Sequence, residues 1–229
     1  MARGIIYVMS SCVEGLVKIG KTGLGRFEDR MSTIERNGYH RISVLKREFA
    51  IEVEDYDEKE KLLHEIFSKS RVGDSELFSV NINLVKQLMA SLEGQVIYPI
   101  DENKEEIFEE ATEVIQSKSG VIPNGIYTFK MRVSGTGDYT SAQMEVCEGK
   151  LFVKAGAVLG PLTDISSGWM KIRNTIKKNG NITLEDFECS SPSMAAAIVI
   201  GHKQNGWLTW KNSNKEFIDI YRLRSNEEE

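Results

Sequence analysis

A phenol, an amine, two guanidiniums, two carboxylates and an imidazole stand in the first third of the chain at spacings that suit work on a phosphate: Tyr7, Lys18, Arg26, Arg30, Glu60, Glu76 and His64. Tyr7 and Lys18 lie on two short apolar runs, 5–9 and 16–20, which flank a Cys-Val-Glu-Gly turn and predict a β-hairpin. A helix is expected over 25–37, with Phe27, Met31 and Ile34 at i, i+4 and i+7 as its core face and Gly38 as its stop. Arg26 and Arg30 then sit one turn apart on a shared flank. Phenol, amine and paired guanidiniums make a phosphate-facing set.

Residues 41–53 alternate loosely and carry β-branched side chains, which predicts a third strand beside the hairpin. A helix over 55–70 follows, acidic in its first turns, with Leu63, Ile66 and Phe67 toward the core. Glu60 shares a face with Leu63, His64 and Phe67, so a carboxylate borders that core. Two roles stand open for it. It complements the positive end of its helix dipole, or it holds one divalent cation whose other ligands are waters and substrate oxygens. His64 is open in the same way, as a donor to phosphate or Glu60, or as a packed structural residue. Glu76, after the Val72-Gly73-Asp74 turn, is a second candidate to orient the site or ligate the metal. Asn81 or Asn83 then caps a core helix running through Leu92.

Five ordered segments resemble the GIY-YIG nucleases, in the branch whose second motif reads Lys-Ile-Gly. They are Gly4-Ile5-Ile6-Tyr7-Val8, Val17-Lys18-Ile19-Gly20-Lys21-Thr22, Arg30-Met31, Glu60-Lys61-Leu62-Leu63-His64 and Glu76-Leu77-Phe78. The resemblance implies a small three-stranded antiparallel sheet flanked by helices, and a divalent-metal-dependent endodeoxyribonuclease. It implies that Glu60 holds Mg²⁺ or Mn²⁺, that Arg30 and less directly Arg26 stabilise transition-state charge, and that Tyr7 positions or deprotonates the attacking water. A free phenol has a pKa of about 10, so a base role demands nearby positive charge, which Lys18 or Arg30 would supply. Lys18 replaces the parent family's second tyrosine and leaves the proton route open.

Net charge is −5, which ordinarily argues against a nucleic-acid partner, but its distribution matters more. Residues 1–47 hold nine Lys/Arg against four Asp/Glu, or +5; residues 48–118 hold seven against eighteen, or −11; the rest carries +1. The positive excess falls on the hairpin and helix where a polyanion would dock. With 41% hydrophobic and 28% charged residues, the chain is expected to be soluble and globular, with two modest cores. No apolar run approaches membrane length, no signal-peptide core opens the chain, and Cys12, Cys147 and Cys189 form no CxxC pair, which together suggest a reducing cytoplasm.

After Gly94 the composition changes. An acidic helix is expected over 101–118, with Ile107, Phe108, Ala111, Val114 and Ile115 along one face, either as a connector or as a dimerising helix. Ser119-Gly120 and Pro123-Asn124-Gly125 mark a boundary. Beyond it, strands are expected over 126–133, 141–146 and 151–155, and a helix over 167–178. Ser191 suits an N-cap, Pro192 the first helical position and Gly201 the stop of an alanine-rich helix; Asn205-Gly206 then turns into a strand bearing Trp207 and Trp210.

The stretch 187–211 resembles the RAMA-like modules found beside restriction nucleases and adenine methylases, in which Ser-Pro-Ser, an alanine-rich helix and Asn-Gly-Trp recur. That resemblance implies recognition of DNA, including modified DNA. Trp207 or Trp210 would stack on a base unless they are core, and Ser193, His202, Lys203 and Asn205 would contact phosphate.

The expected architecture is α+β in two parts: a nuclease-like domain over 1–97, a helical linker over 98–118, a recognition domain over 119–224 and an acidic tail over 225–229. The expected function is restriction or phage defence by a DNA endonuclease, or DNA binding by a chain that keeps the nuclease fold without turnover.

Overall fold

The computed structural model describes residues 2–40, 42, 44–118, 122–133 and 138–222. The 119–120 boundary signal and the acidic tail lie outside the described residues. The chain divides into two compact units, Met1–Thr112 and Glu113–Glu229.

The first unit begins with β1 (Arg3–Ser10) and β2 (Leu16–Gly23), followed by α1 (Phe27–Asn37), β3 (Lys46–Glu54) and α2 (Tyr56–Ile66). Then come β4 (Leu77–Ser79), α3 (Ile82–Ala90), β5 (Gln95–Tyr98) and the start of α4 (Lys104–Lys118). The sheet has five antiparallel strands in the order β4-β2-β1-β3-β5, which corrects the three expected. The hairpin and third strand are its centre, and two short segments pair with its edges. β1 is buried on both sides, as its unbroken apolar run requires: Ile6 and Val8 face α2 and α3, while Ile5, Tyr7 and Met9 face Phe27, Met31 and Ile34 of α1. Gly4 admits α2 closely, since a Cβ there would lie 2.4 Å from the Tyr56 ring.

The unit boundary falls inside α4, whose Ile107 joins the first unit's core and whose Ala111 and Val114 are also buried, which leaves Phe108 as the exposed part of the expected stripe. Among the described residues, no helix is long and apolar enough to cross a membrane.

The second unit contains β6 (Gly125–Arg132), β7 (Tyr139–Cys147), β8 (Lys150–Val153), α5 (Ser167–Thr175), β9 (Lys178–Asn179), β10 (Ile182–Thr183), β11 (Phe187–Cys189) and α6 (Pro192–Ile200). Its main sheet runs β11-β8-β7-β6. α6 is apolar and buried at every position but Ser193, capped by the Ser191 hydroxyl accepting from Met194 N at 3.1 Å and stopped by Gly201 at φ 97°. The expected strand after Asn205 does not form. Asn205 Oδ1 accepts from the amides of Trp207 at 3.0 Å and Leu208 at 3.4 Å, which winds Gly206–Leu208 into a 3₁₀ turn.

Arg173 on α5 is buried, and its guanidinium donates to the carbonyls of Ile198 (2.6 Å), Val199 (3.4 Å) and Gly160. It satisfies the C-terminal carbonyls of α6 and adds a positive charge at the negative end of that helix. Arg173→Met is expected to lower unfolding free energy by roughly 2–4 kcal/mol in urea denaturation, because buried carbonyls lose their donor.

Candidate active site

Strand pairing brings the first group together. Tyr7 lies opposite Gly20 and Met9 opposite Lys18, so Tyr7, Gly20 and Lys18 share the α1 side of the sheet. Arg30, projecting from α1, donates through Nε to the Tyr7 hydroxyl at 3.3 Å. Lys18 is fully buried; its ammonium hydrogen-bonds Glu76 Oε2 and lies 4.1 Å from the Tyr39 ring centroid and 5.5 Å from that of Tyr7. Gly20 is the space these groups share. A Cβ there would stand 2.8 Å from the Tyr7 hydroxyl and 2.9 Å from Lys18 Nζ.

The second group leaves β2 on the other side. Lys21 lies opposite Ile6, on the α2 face, and its ammonium meets Asp57 Oδ1 at 2.7 Å and Glu60 Oε2 at 3.2 Å. Glu60 is buried, with Oε1 3.7 Å from His64 Nε2. His64 Nε2 lies 3.1 Å from the Ile19 carbonyl oxygen, on the strand edge where Ile19 N donates to Glu76 O. The β4–β2 register ends at Lys18 and Leu77, and the Ile19–Glu76 bond carries the contact one residue further, so Glu76 and His64 meet the same strand edge, at Ile19. The two groups are also linked by charge: Lys18 feels Glu60, and Glu76 feels His64.

Burial and pairing compete at each titrating group. Burial pushes the Tyr7 phenol above its ordinary value, and the Arg30 hydrogen bond and charge only partly oppose this. Burial lowers the Lys18 ammonium against the pull of Glu76. At Glu76 burial acts to raise the carboxyl, but Lys18, with His64 and Arg30, outweighs it and holds the group below the usual carboxylate range. A neutral phenol suits a positioning role better than a base role.

The expected residues therefore fall into two groups rather than one. Tyr7, Lys18, Arg30 and Glu76 form the first; Glu60 and His64 form the second. Arg26 is exposed at the N-cap of α1 and makes no side-chain cap bond. Tyr39 and Lys21 went unassigned in the sequence, although period-two alternation already put Lys21 on the face opposite Lys18. Among the described residues no group of three or more His, Cys, Asp or Glu gathers as a metal cage. The Glu60 carboxylate is paired with the Lys21 ammonium, so a hard cation held there would take that ammonium's place and draw its other ligands from water and phosphate.

The recognition residues expected in the second unit are largely turned inward. Trp207 and Trp210 have no exposed surface and belong to the core, with Trp210 Nε1 donating to Pro192 O at 3.0 Å, so neither offers a face to a base. Ser193 is occupied internally: its hydroxyl donates to Glu113 at 2.8 Å and accepts from Gly206 N at 2.8 Å. The Asn205 side-chain oxygen caps the 3₁₀ turn, whereas His202 and Lys203 remain partly exposed.

Residues 4–93 match the model of the T5orf172 domain, an endonuclease-like, GIY-YIG-related domain. Residues 127–222 match a domain of unknown function, DUF4357, which is RAMA-like. No curated protein and no solved structure matches the chain.

Glu76→Gln leaves the Lys18 ammonium buried without its counter-charge, an uncompensated loss expected to cost roughly 3–5 kcal/mol of unfolding free energy near neutral pH. Removing Glu76 also lowers the folded-state pKa of Lys18 further below its unfolded value of 10.5. The unfolded chain then binds the extra proton, so stability rises with pH up to that value, and more steeply than in the parent. Urea titrations at several pH values between neutral and 10.5 check the sign.

Proposed function

We propose that this chain is a metal-dependent DNA endonuclease of restriction or phage defence, with its second unit directing it to DNA. One observation carries this assignment: Tyr7, Arg30, Lys18 and Glu76 converge on a position that Gly20 leaves without a side chain, one residue along β2 from the Ile19 carbonyl that His64 meets with Glu60 beside it. The nuclease-related match over residues 4–93 supports the class of reaction.

Each residue then has a distinct task. Arg30 is exposed and tied to Tyr7 by a single 3.3 Å bond, so it can turn onto a phosphate oxygen, stabilise the charge that develops there and uncover the phenol. Tyr7 orients the attacking water through its hydroxyl. Lys18 has no surface to offer substrate and is a positioning residue, fixing Glu76 and the phenol. Glu60 would hold Mg²⁺ or Mn²⁺ in place of the Lys21 ammonium. When bound, such an ion supplies neutralisation of the scissile phosphate and of the leaving oxygen. His64 anchors the strand edge through the Ile19 carbonyl and keeps Glu60 oriented.

A second assignment, DNA binding without turnover, draws on the Lys21 ammonium 3.2 Å from Glu60, which already neutralises the carboxylate as a cation would. A plasmid-nicking assay separates the two. With Mg²⁺ the parent chain is expected to nick, EDTA to abolish nicking, and Glu60→Gln, Arg30→Ala and Tyr7→Phe each to slow it by roughly a hundredfold or more. Equal behaviour of the parent and all three variants would leave binding alone.

A further inference from the structure

The outer face of the second unit's main sheet carries side chains that no role above uses. β6 exposes Ile126, Thr128, Lys130 and Arg132 on the side away from the core, while Tyr127 and Phe129 point inward. Pairing sets Arg132 opposite Tyr139; along the other edge Lys211 pairs with Thr128 and Phe217 with Lys211. Paired residues share a face, so Lys130, Arg132 and Lys211 stand with Tyr139 and Phe217. Those two rings are 51% and 41% exposed. Each lies under an ammonium, with Lys130 Nζ 4.6 Å from the Tyr139 centroid and Lys211 Nζ 4.6 Å from that of Phe217. The described ion pairs of this unit engage Lys154, Lys177 and Arg222 instead of these three cations.

We propose that this face binds a single strand of DNA, with phosphates on Lys130, Arg132 and Lys211 and an unpaired base stacked on Tyr139. Exposed rings interleaved with cations form the platform that takes bases by stacking and the backbone by charge. A duplex hides its base faces and would engage the cations alone. An ammonium over an exposed ring is held weakly, so Lys130 can pass from the ring to a phosphate as a base takes its place. The proposal rests on the assignment that the chain acts on DNA, and moves recognition away from the buried tryptophans.

The test uses the full chain in EDTA, which reads binding apart from cleavage, with labelled oligo(dT) and a duplex of equal length followed by anisotropy across salt. Lys130→Ala/Arg132→Ala/Lys211→Ala is expected to flatten the slope of log affinity against log salt by about 2 on the single strand, at about 0.7 per contact. Tyr139→Ala is expected to weaken oligo(dT) binding about tenfold. Tyr139→Phe keeps the ring and should bind like the parent, which guards against a folding artefact. Parent-like affinity and slope in the triple variant and in Tyr139→Ala overturn the proposal, and so do equal losses on duplex and single strand in Tyr139→Ala. A parent that never nicks while its variants show these losses sinks the nuclease assignment alone. A nicking parent whose variants bind oligo(dT) unchanged sinks this surface alone.

Discussion

An ammonium without solvent is costly, by several kcal/mol even after relaxation, unless its surroundings repay it. Lys18 is such a group, and much of the first unit is arranged to keep it. Glu76 supplies the counter-charge at the end of β4, the Tyr39 ring lies over it after α1, and the Tyr7 ring borders it from β1. Gly20 completes the arrangement by withholding a side chain where the ammonium and the phenol meet. Each partner comes from a different element, so the pairing of β4 with β2 and the turn after α1 are both tied to one buried charge. A structural motif and a candidate site are here the same set of contacts.

What could be read from the sequence follows the range of the interactions involved. The β1–β2 hairpin and α1 rest on local runs and a local period, and both appear near their expected positions. β4 and β5 are only three and four residues long and have no alternation of their own. They become strands because the edges of a sheet take partners, which is a tertiary fact. At the site, Tyr7, Arg30 and Glu60 could be picked out by type and spacing, but not the division that puts Glu60 with Lys21 on one side of β2 and Tyr7 with Lys18 on the other. That division follows from strand register, which the hairpin turn sets. Tyr39 had no signal beyond its place after a helix stop.

The second unit shows how a distinctive stretch can be distinctive for structural reasons. Gly206 passes so near the start of α6 that a Cβ would lie 2.1 Å from the Pro192 carbonyl carbon. Ser193 joins that turn to Glu113, a buried carboxyl that desolvation raises above its ordinary range while the Ser193 hydrogen bonds oppose the shift. Ser-Pro-Ser, the alanine-rich helix and Asn-Gly-Trp are thus the parts of one interlocked core. Asn205 also explains why the tryptophan segment is not a strand, because a side-chain acceptor beside two free amides competes with extension. Motif residues spent on packing are not free for the recognition that the resemblance implied.

Lys18 and Arg30, the two cations beside Tyr7, differ in exposure. Lys18 is fixed, paired and dry, and sets the field in which the phenol and Glu76 sit. Arg30 is exposed and held by one long hydrogen bond, which makes it the cation able to change partners. A phosphate brings the negative charge that Tyr7, kept neutral by burial, does not supply, so exchange of Arg30 from phenol to phosphate gains Coulomb energy where the starting bond is weak. On the proposed reaction, the same step would free the phenol oxygen as a substrate arrives. Guarding the hydroxyl before that moment would need no separate lid, because on that proposal the group that covers the phenol is the one that takes the phosphate.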